Sequence, residues 1–202
     1  MSAMVEPVSQ PQAPRRGVTL RWITYFGLAA AVVIADQISK AWVNATFNWA
    51  YVHGAPGAAD GPTEVLGSFV RIAKTQNTGG IFGLFGSSAL LLGLASIVVI
   101  AFILVYEARE GITAHPLLTI ALGLLTGGAV GNLIDRLHFG YVIDWVDTGL
   151  GDTRWYTFNV ADAAISCSIV GLLLIGLLGE RLARSGPQPV PDEPAADPGV
   201  TR

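Results

Sequence analysis

The chain has 202 residues, 51% of them hydrophobic and only 13% charged, with a mean hydropathy of +0.52. Soluble domains carry about a quarter charged residues, and twelve basic with fifteen acidic side chains cannot cover a water-exposed surface of this size. The net charge of −3 offers no polyanion-binding face, so nucleic acid is excluded as a partner, and one cysteine excludes a disulfide scaffold.

In chain order, residues 1–20 are rich in Pro and Gln and read as a disordered tail. The first membrane span covers Trp22–Val43 and is free of charge until Asp36. Its length, and the lack of a small-x-small site before Asp36, mark a retained anchor rather than a cleaved signal peptide. His53–Pro62 is a turn-rich loop, and Glu64–Lys74 alternates enough to form a short strand or hairpin. A second span, Leu84–Tyr106, contains no charge; a third, Pro116–Ile134, opens on a proline that suits a first helical turn. Gly123, Gly127 and Gly131 recur every four residues along the third, a small stripe that permits close helix packing. The fourth span, Ala163–Gly179, is introduced by Asp162 and can be extended by 158–161. Within it Cys167 reads as a small buried hydrophobe, and Ser166 and Ser168 as back-bonding within their own helix. Residues 183–202 form a second disordered tail.

Each window supplies about the 20 helical residues that a 30 Å hydrocarbon core requires. The expected fold is therefore an all-α polytopic membrane protein with four transmembrane helices and a small extracytoplasmic β-rich segment between helices 1 and 2. Arg15, Arg16 and Arg21 precede the first span and Arg181 and Arg184 follow the fourth, against Arg71, Lys74, Arg136 and Arg154 on the other side. The bias places both termini in the cytoplasm.

The polar residues at span ends converge whatever the orientation. Asp36 and Lys40 close the first span and Asn77 precedes the second. Asn132, Asp135 and Arg136 close the third, while Asn159 and Asp162 open the fourth. In a four-span chain these positions share one membrane face, and ionisable residues at membrane depth point to function. Trp42, Trp49, Tyr51, Trp145, Trp155 and Tyr156 lie near that face like an interfacial belt.

Six carboxylates are gathered there: Asp36, Asp135, Asp144, Asp147, Asp152 and Asp162. Two that lie close together in a low dielectric cannot both ionise, so one keeps a proton at neutral pH. The ionised member can then activate water and the protonated one serve a leaving amine, which is a peptidase device. Spacing alone leaves open which two pair. A zinc helix of the His-Glu-x-x-His kind is missing from the sequence, and His53, His115 and His138 are dispersed.

Five motifs stand in order: DQISK at 36–40, NTGGIFG at 77–83, GGAVGNLIDR at 127–136, GYVIDW at 140–145 and FNVAD at 158–162. Over about residues 22–182 the chain resembles bacterial lipoprotein signal peptidase (signal peptidase II). The resemblance implies a 21–182 peptidase domain in the bacterial inner (plasma) membrane, with its active site at the extracytoplasmic face. It implies an aspartic endopeptidase that removes signal peptides from diacylglyceryl-modified prolipoproteins, cutting before the lipid-modified Cys of the lipobox. Asp144 and Asp162 match the family's catalytic dyad, and Asp36, Lys40, Asn77, Gly79, Asn132, Arg136 and Asn159 its supporting or substrate-binding positions. No metal or cofactor is implied; the partners are prolipoprotein substrates and membrane lipids, and the chain is expected to be a monomer. One departure is Gly79-Gly80-Ile81-Phe82, where the family usually has Gly-Ala-Ala-Phe.

Each residue also has a plainer reading. Asp36 and Lys40, at i,i+4, suit a structural ion pair. Arg136 can hold a carboxylate or a carbonyl, Asn159 can be a helix cap, and Asp135 and Asp147 read as structural. The rival function is a proton- or ion-coupled transporter, whose charges should run through the membrane depth; spans two and three have none in their middles. A scaffold subunit built on the glycine stripe is a third reading.

Overall fold

The computed structural model describes residues 15–50, 61–79, 89–110 and 116–184. The apolar runs form α1 (Arg15–Thr46), α2 (Ala89–Glu110), α3 (Pro116–Phe139) and α4 (Val160–Arg184). All four contain a stretch long and apolar enough to cross a bilayer. Helix α1 starts at Arg15, so residues 15–20 are helical rather than part of a disordered tail. Residues 1–14 and 185–202, most of the His53–Pro62 loop, Tyr51, His53, His115 and the expected start of the second span at Leu84 lie outside the described residues.

Helix α3 is the centre of the bundle. Half of its spanning window is buried, against 17% or less in the other three helices. The glycine stripe explains how neighbours approach so closely. A Cβ on Gly127 would lie 2.8 Å from the Ala29 carbonyl oxygen and 2.8 Å from the Val32 Cβ, both on α1. Gly128, one residue on, faces α4, where a Cβ would lie 2.5 Å from the Ala161 carbonyl oxygen. Two adjacent glycines thus let one helix receive partners on two sides. Leu90, Val98 and Phe102 on α2 and Leu173 and Leu177 on α4 face outward, as lipid-facing side chains do.

Two readings of α4 are corrected. Cys167 is exposed on the outer face, where apolar surroundings suit it as well as a protein core does. Ser168 is buried and its hydroxyl donates to the Ala121 carbonyl of α3 at 2.7 Å, so it ties two helices together instead of back-bonding.

The connections from α1 to α2 and from α3 to α4 together build one antiparallel sheet, in the order β1 (Thr63–Leu66), β2 (Val70–Asn77), β3 (Val142–Leu150), β4 (Thr153–Arg154). The expected hairpin is β1 and β2, with Gly67 at a φ of 53° in the turn. The sequence reading missed β3, which pairs Thr75 with Asp144 and Asn77 with Val142. After α3, Gly140 takes a φ of 78° and its N–H closes on the Arg136 carbonyl at 3.1 Å, a left-handed helix end that turns the chain into β3.

At the opposite end of the bundle, Glu107 of α2 is fully buried. It pairs with Arg21 of α1 at 3.0 Å and accepts a hydrogen bond from Thr119 of α3 at 3.1 Å.

Candidate active site

The site grows from the i,i+4 spacing on α1. Lys40 and Asp36 stack one turn apart and pair at 2.8 Å, both buried. The ammonium also meets Asp135 of α3 at 3.0 Å and donates to the Asn132 side-chain oxygen at 3.0 Å. Two carboxylates against one ammonium leave an excess negative charge, and N–H donors surround it. Asp36 accepts from the Ala161 backbone N–H at 3.0 Å, and Asp135 from that of Ile143 at 3.0 Å. Gln37 donates to Asp135 at 3.0 Å and to Asp36 at 3.2 Å. A buried ion cluster survives only when its remaining lone pairs are satisfied. Satisfying them here fixes the first turn of α4 and the start of β3 against α1 and α3.

Those two anchored segments carry the paired carboxylates. Asp144 is buried on β3; Asn77 donates to one of its oxygens at 2.9 Å and Asn159 to the other at 2.7 Å. Asp162, half-buried, sits in the first turn of α4 and accepts from the Asn132 side-chain amide at 2.7 Å. Asn159 is the N-cap of α4. Its side-chain oxygen accepts the Asp162 N–H at 2.9 Å, while its own N–H donates back to the Asp162 carboxylate at 3.3 Å. This is a capping box with Asp in place of the usual Glu. The Asn159 side-chain nitrogen also donates to the Asn132 oxygen at 3.1 Å. One asparagine therefore caps the helix, holds Asp162 and holds Asp144.

Burial pushes the Asp144 carboxyl up to about 7, and the negative charge of Asp162 adds to the effect. The Asn77 and Asn159 donors and the Lys40 charge pull the other way. A carboxyl poised there can exchange a proton at neutral pH, which is what acid–base chemistry requires. The same two carboxylates, after burial itself, raise the Tyr156 hydroxyl, so its phenol stays protonated beside them.

The other expected residues fall around this pair. Arg136 donates to the Asn132 carbonyl at 3.3 Å, holding a carbonyl rather than a carboxylate. Gly79 is buried just beyond β2; Gly80 and Phe82 lie outside the described residues. Asp147 stands apart from Asp144 and Asp162: Arg71 at 2.7 Å and Arg154 at 2.9 Å clamp it within the sheet. Asp152 is exposed in the β3–β4 turn. The aromatic belt is partly an internal packing, with Trp42 edge-on to Trp145 at 6.4 Å and Trp49 to Tyr141 at 5.9 Å. Two residues were given no role in the sequence reading. Gln37 lies next to Asp36 in the first motif and had only that proximity as a signal. Lys74, buried by the sheet, donates to the Asn44 and Phe47 carbonyls at 3.2 Å each and caps the end of α1.

Comparison with known proteins gives the family. A family profile described as Signal peptidase (SPase) II matches residues 28–178. The lipoprotein signal peptidase of Syntrophomonas wolfei is 37% identical over 162 residues, covering 80% of this chain and 98% of that protein. The one from Caulobacter vibrioides is 37% identical over 166 residues, covering 79% and 89%. A bacterial membrane enzyme structure determined by the in meso method at 1.9 Å is 26% identical, with a TM-score of 0.64 over 76% of this chain and 92% of that one. A second, at 2.3 Å, shares the fold at 24% identity and a TM-score of 0.66, over 83% and 94%. With the profile running through all four spans and the sheet, this multi-pass bacterial membrane protein belongs to the signal peptidase II family, the lipoprotein signal peptidases.

Proposed function

We propose that the chain is an aspartic endopeptidase that removes signal peptides from diacylglyceryl-modified prolipoproteins, with Asp144 and Asp162 as the catalytic dyad. The observation that carries this reading is the shared amide network: Asn159 donates to Asp144 while capping and holding Asp162. The relatives' names supply the substrate class.

One proton resides on the pair, and a water lies between the carboxyls. The ionised carboxylate removes a proton from that water as its oxygen attacks the carbonyl carbon preceding the lipid-modified Cys. The tetrahedral intermediate collapses as the C–N bond breaks, and the protonated carboxyl delivers its proton to the leaving amine. The proton taken from water restores the pair to its starting state. Asn77, Asn132 and Asn159 hold the carboxyls, Lys40 with Asp36 sets the local field, and Arg136 and Gly79 serve substrate positioning. Both termini lie in the cytoplasm, the site faces the extracytoplasmic side, and the enzyme works as a monomer.

The test is cleavage of a lipidated lipobox peptide by the purified chain. Asp144→Asn and Asp162→Asn should each abolish cleavage while leaving the unfolding midpoint near or above that of the parent. Full activity in either variant sinks the dyad. In cells, loss of the protein should leave uncleaved, lipid-modified prolipoprotein, which loss of a proton-coupled transporter would not produce.

A further inference from the structure

We propose that Gln37 is a positioning residue that sets the separation of Asp144 and Asp162, a role that rests on their assignment as the dyad. Each of these carboxylates stands one residue beyond an anchored backbone N–H. Asp135 accepts the N–H of Ile143, immediately before Asp144, at 3.0 Å. Asp36 accepts the N–H of Ala161, immediately before Asp162, at 3.0 Å. The two anchors lie on different helices, α3 and α1, so the distance between them carries over to the dyad. Two carboxyls share a proton only when they lie close together in a low dielectric. A group that ties the anchors to each other therefore bears on the chemistry.

Two side chains span the anchors. Lys40 meets Asp36 at 2.8 Å and Asp135 at 3.0 Å, in both cases at Oδ2. Gln37, half-buried on α1, places its side-chain nitrogen 3.0 Å from Asp135 Oδ1 and 3.2 Å from Asp36 Oδ2. The same nitrogen lies 3.2 Å from the Gly131 carbonyl oxygen. Three acceptors around one atom identify it as the nitrogen, since an amide oxygen there would face only lone pairs. The approach is close because Gly131 has no side chain: a Cβ would lie 2.7 Å from Asp36 Oδ2.

The two bridges differ in charge, and the difference explains why one of them is an amide. Lys40 balances one of the two anchor carboxylates, and its field also reaches Asp144 and Asp162. Arg136 of α3 lies in the field of Asp135, Asp144 and Asp162, and Tyr156 in that of the dyad. A second cation between the anchors would add to these fields and favour ionisation of both dyad carboxyls. A neutral amide ties the anchors together and leaves the shared proton in place. Gln37 bonds the anchors rather than the dyad, so it acts through them.

The test measures cleavage of a lipidated lipobox peptide by the full purified chain across a pH series. Gln37→Met keeps the length of the side chain and removes its donors. Its kcat should fall about 10- to 100-fold at every pH, as displacement of a reacting group does, with KM near that of the parent. Gln37→Glu keeps the shape of the amide. Protonated, it retains one donor; ionised, it sets a third carboxylate against Asp36 and Asp135. Its kcat relative to the parent should therefore recover as pH falls and drop as pH rises. A purely structural role would give both variants the same pH dependence and overturn the proposal. A parental kcat for Gln37→Met overturns it too, as does a loss confined to KM, which would make Gln37 a substrate contact. Rates are taken per folded molecule, with an unfolding midpoint for each variant. If Gln37→Met does not fold, Gln37→Glu decides alone, and a ratio to the parent that is flat in pH overturns the proposal. The dyad is judged separately: parental cleavage by Asp144→Asn or Asp162→Asn sinks that reading. Parental cleavage by Gln37→Met beside two inactive Asn variants sinks only this one.

Discussion

Asn159 shows how much one side chain decides in this protein. Its oxygen caps α4 and its nitrogen bonds the Asp144 carboxylate, so substitutions can separate the two duties. Asn159→Ser keeps an oxygen for the cap and loses the amide donor; Asn159→Ala loses both and should cost about 1 kcal/mol more in stability. Hydrogen bonds to charged groups contribute about 1.5–3 kcal/mol. Both variants should therefore cleave a lipidated peptide at least about tenfold more slowly, while thermal unfolding distinguishes serine from alanine. Asp144 makes a separate prediction about pH. Its folded pKa, about 7, stands above the ordinary carboxyl value. The folded state thus binds the proton more tightly than the unfolded chain does, and this contribution to stability is present at low pH. It is lost as pH rises toward and through 7. The unfolding midpoint in detergent should fall between pH 5 and pH 8, and Asp144→Asn should flatten that slope. The residues at the span ends were legible because charge is scarce in a membrane sequence, so every ionisable position stands out. Which carboxylates pair was not legible from spacing, since Asp144 reaches its partner through a strand whose own partner, β2, lies about seventy residues earlier.

The helices show the same contrast at the scale of elements. Hydropathy and length were enough to find four spans, yet they left the helix ends several residues off, because capping and charged termini extend a helix beyond its apolar stretch. The glycine stripe was readable as a packing device, and a glycine within it and one outside it, Gly27 on α1, lead to opposite outcomes on substitution. Gly127→Ala forces a methyl against the α1 backbone at 2.8 Å and should destabilise the bundle by about 1–3 kcal/mol. Gly27→Ala meets nothing within 4 Å and gains helix propensity, so it should be neutral or slightly stabilising. Differential scanning of the two purified variants checks both. Strand β3 escaped the sequence reading for a physical reason. Val142, Ile143 and Asp144 are buried in succession, so the alternation that marks a half-exposed strand is absent. Only the sheet formed with β2 reveals it. Ser168 was likewise misread because a serine in an apolar helix has two acceptors open to it, its own backbone and a neighbour's. Sequence cannot say which lies nearer.

At the scale of the whole molecule, two buried ion-pair clusters lie at opposite ends of the apolar helix bundle among the described residues. The dyad network occupies one end, and Arg21, Glu107 and Thr119 the other. The second cluster joins α1, α2 and α3, and α2 has few other polar ties to the bundle among the described residues. Glu107→Ala leaves a guanidinium in a largely buried site without its counter-charge, and should cost about 3–5 kcal/mol. Because this pair is remote from the dyad, the fraction that remains folded should keep its specific cleavage rate. Titrating active protein against temperature would separate lost fold from lost chemistry. This end was not foreseen, since Glu107 stands at the tail of an otherwise charge-free span and reads there as a loop residue.

The bond from the Ala161 N–H to Asp36 joins residues 125 positions apart, and it bears on how the protein is made. A ribosome delivers α1 first and α4 last. Until α4 is made, the chain holds Asp36, Lys40 and Asp135 but lacks Asp162 and Asn159 altogether. The carboxylate emplaced in the first helix thus waits for the final one, and receiving its amide closes the bundle in the same event that completes the site. A nascent chain carries no working fragment of the machinery. With Asp144 and Asp162 as the proposed dyad, activity should begin only when synthesis has gone past the last strand and the first helix has found the last.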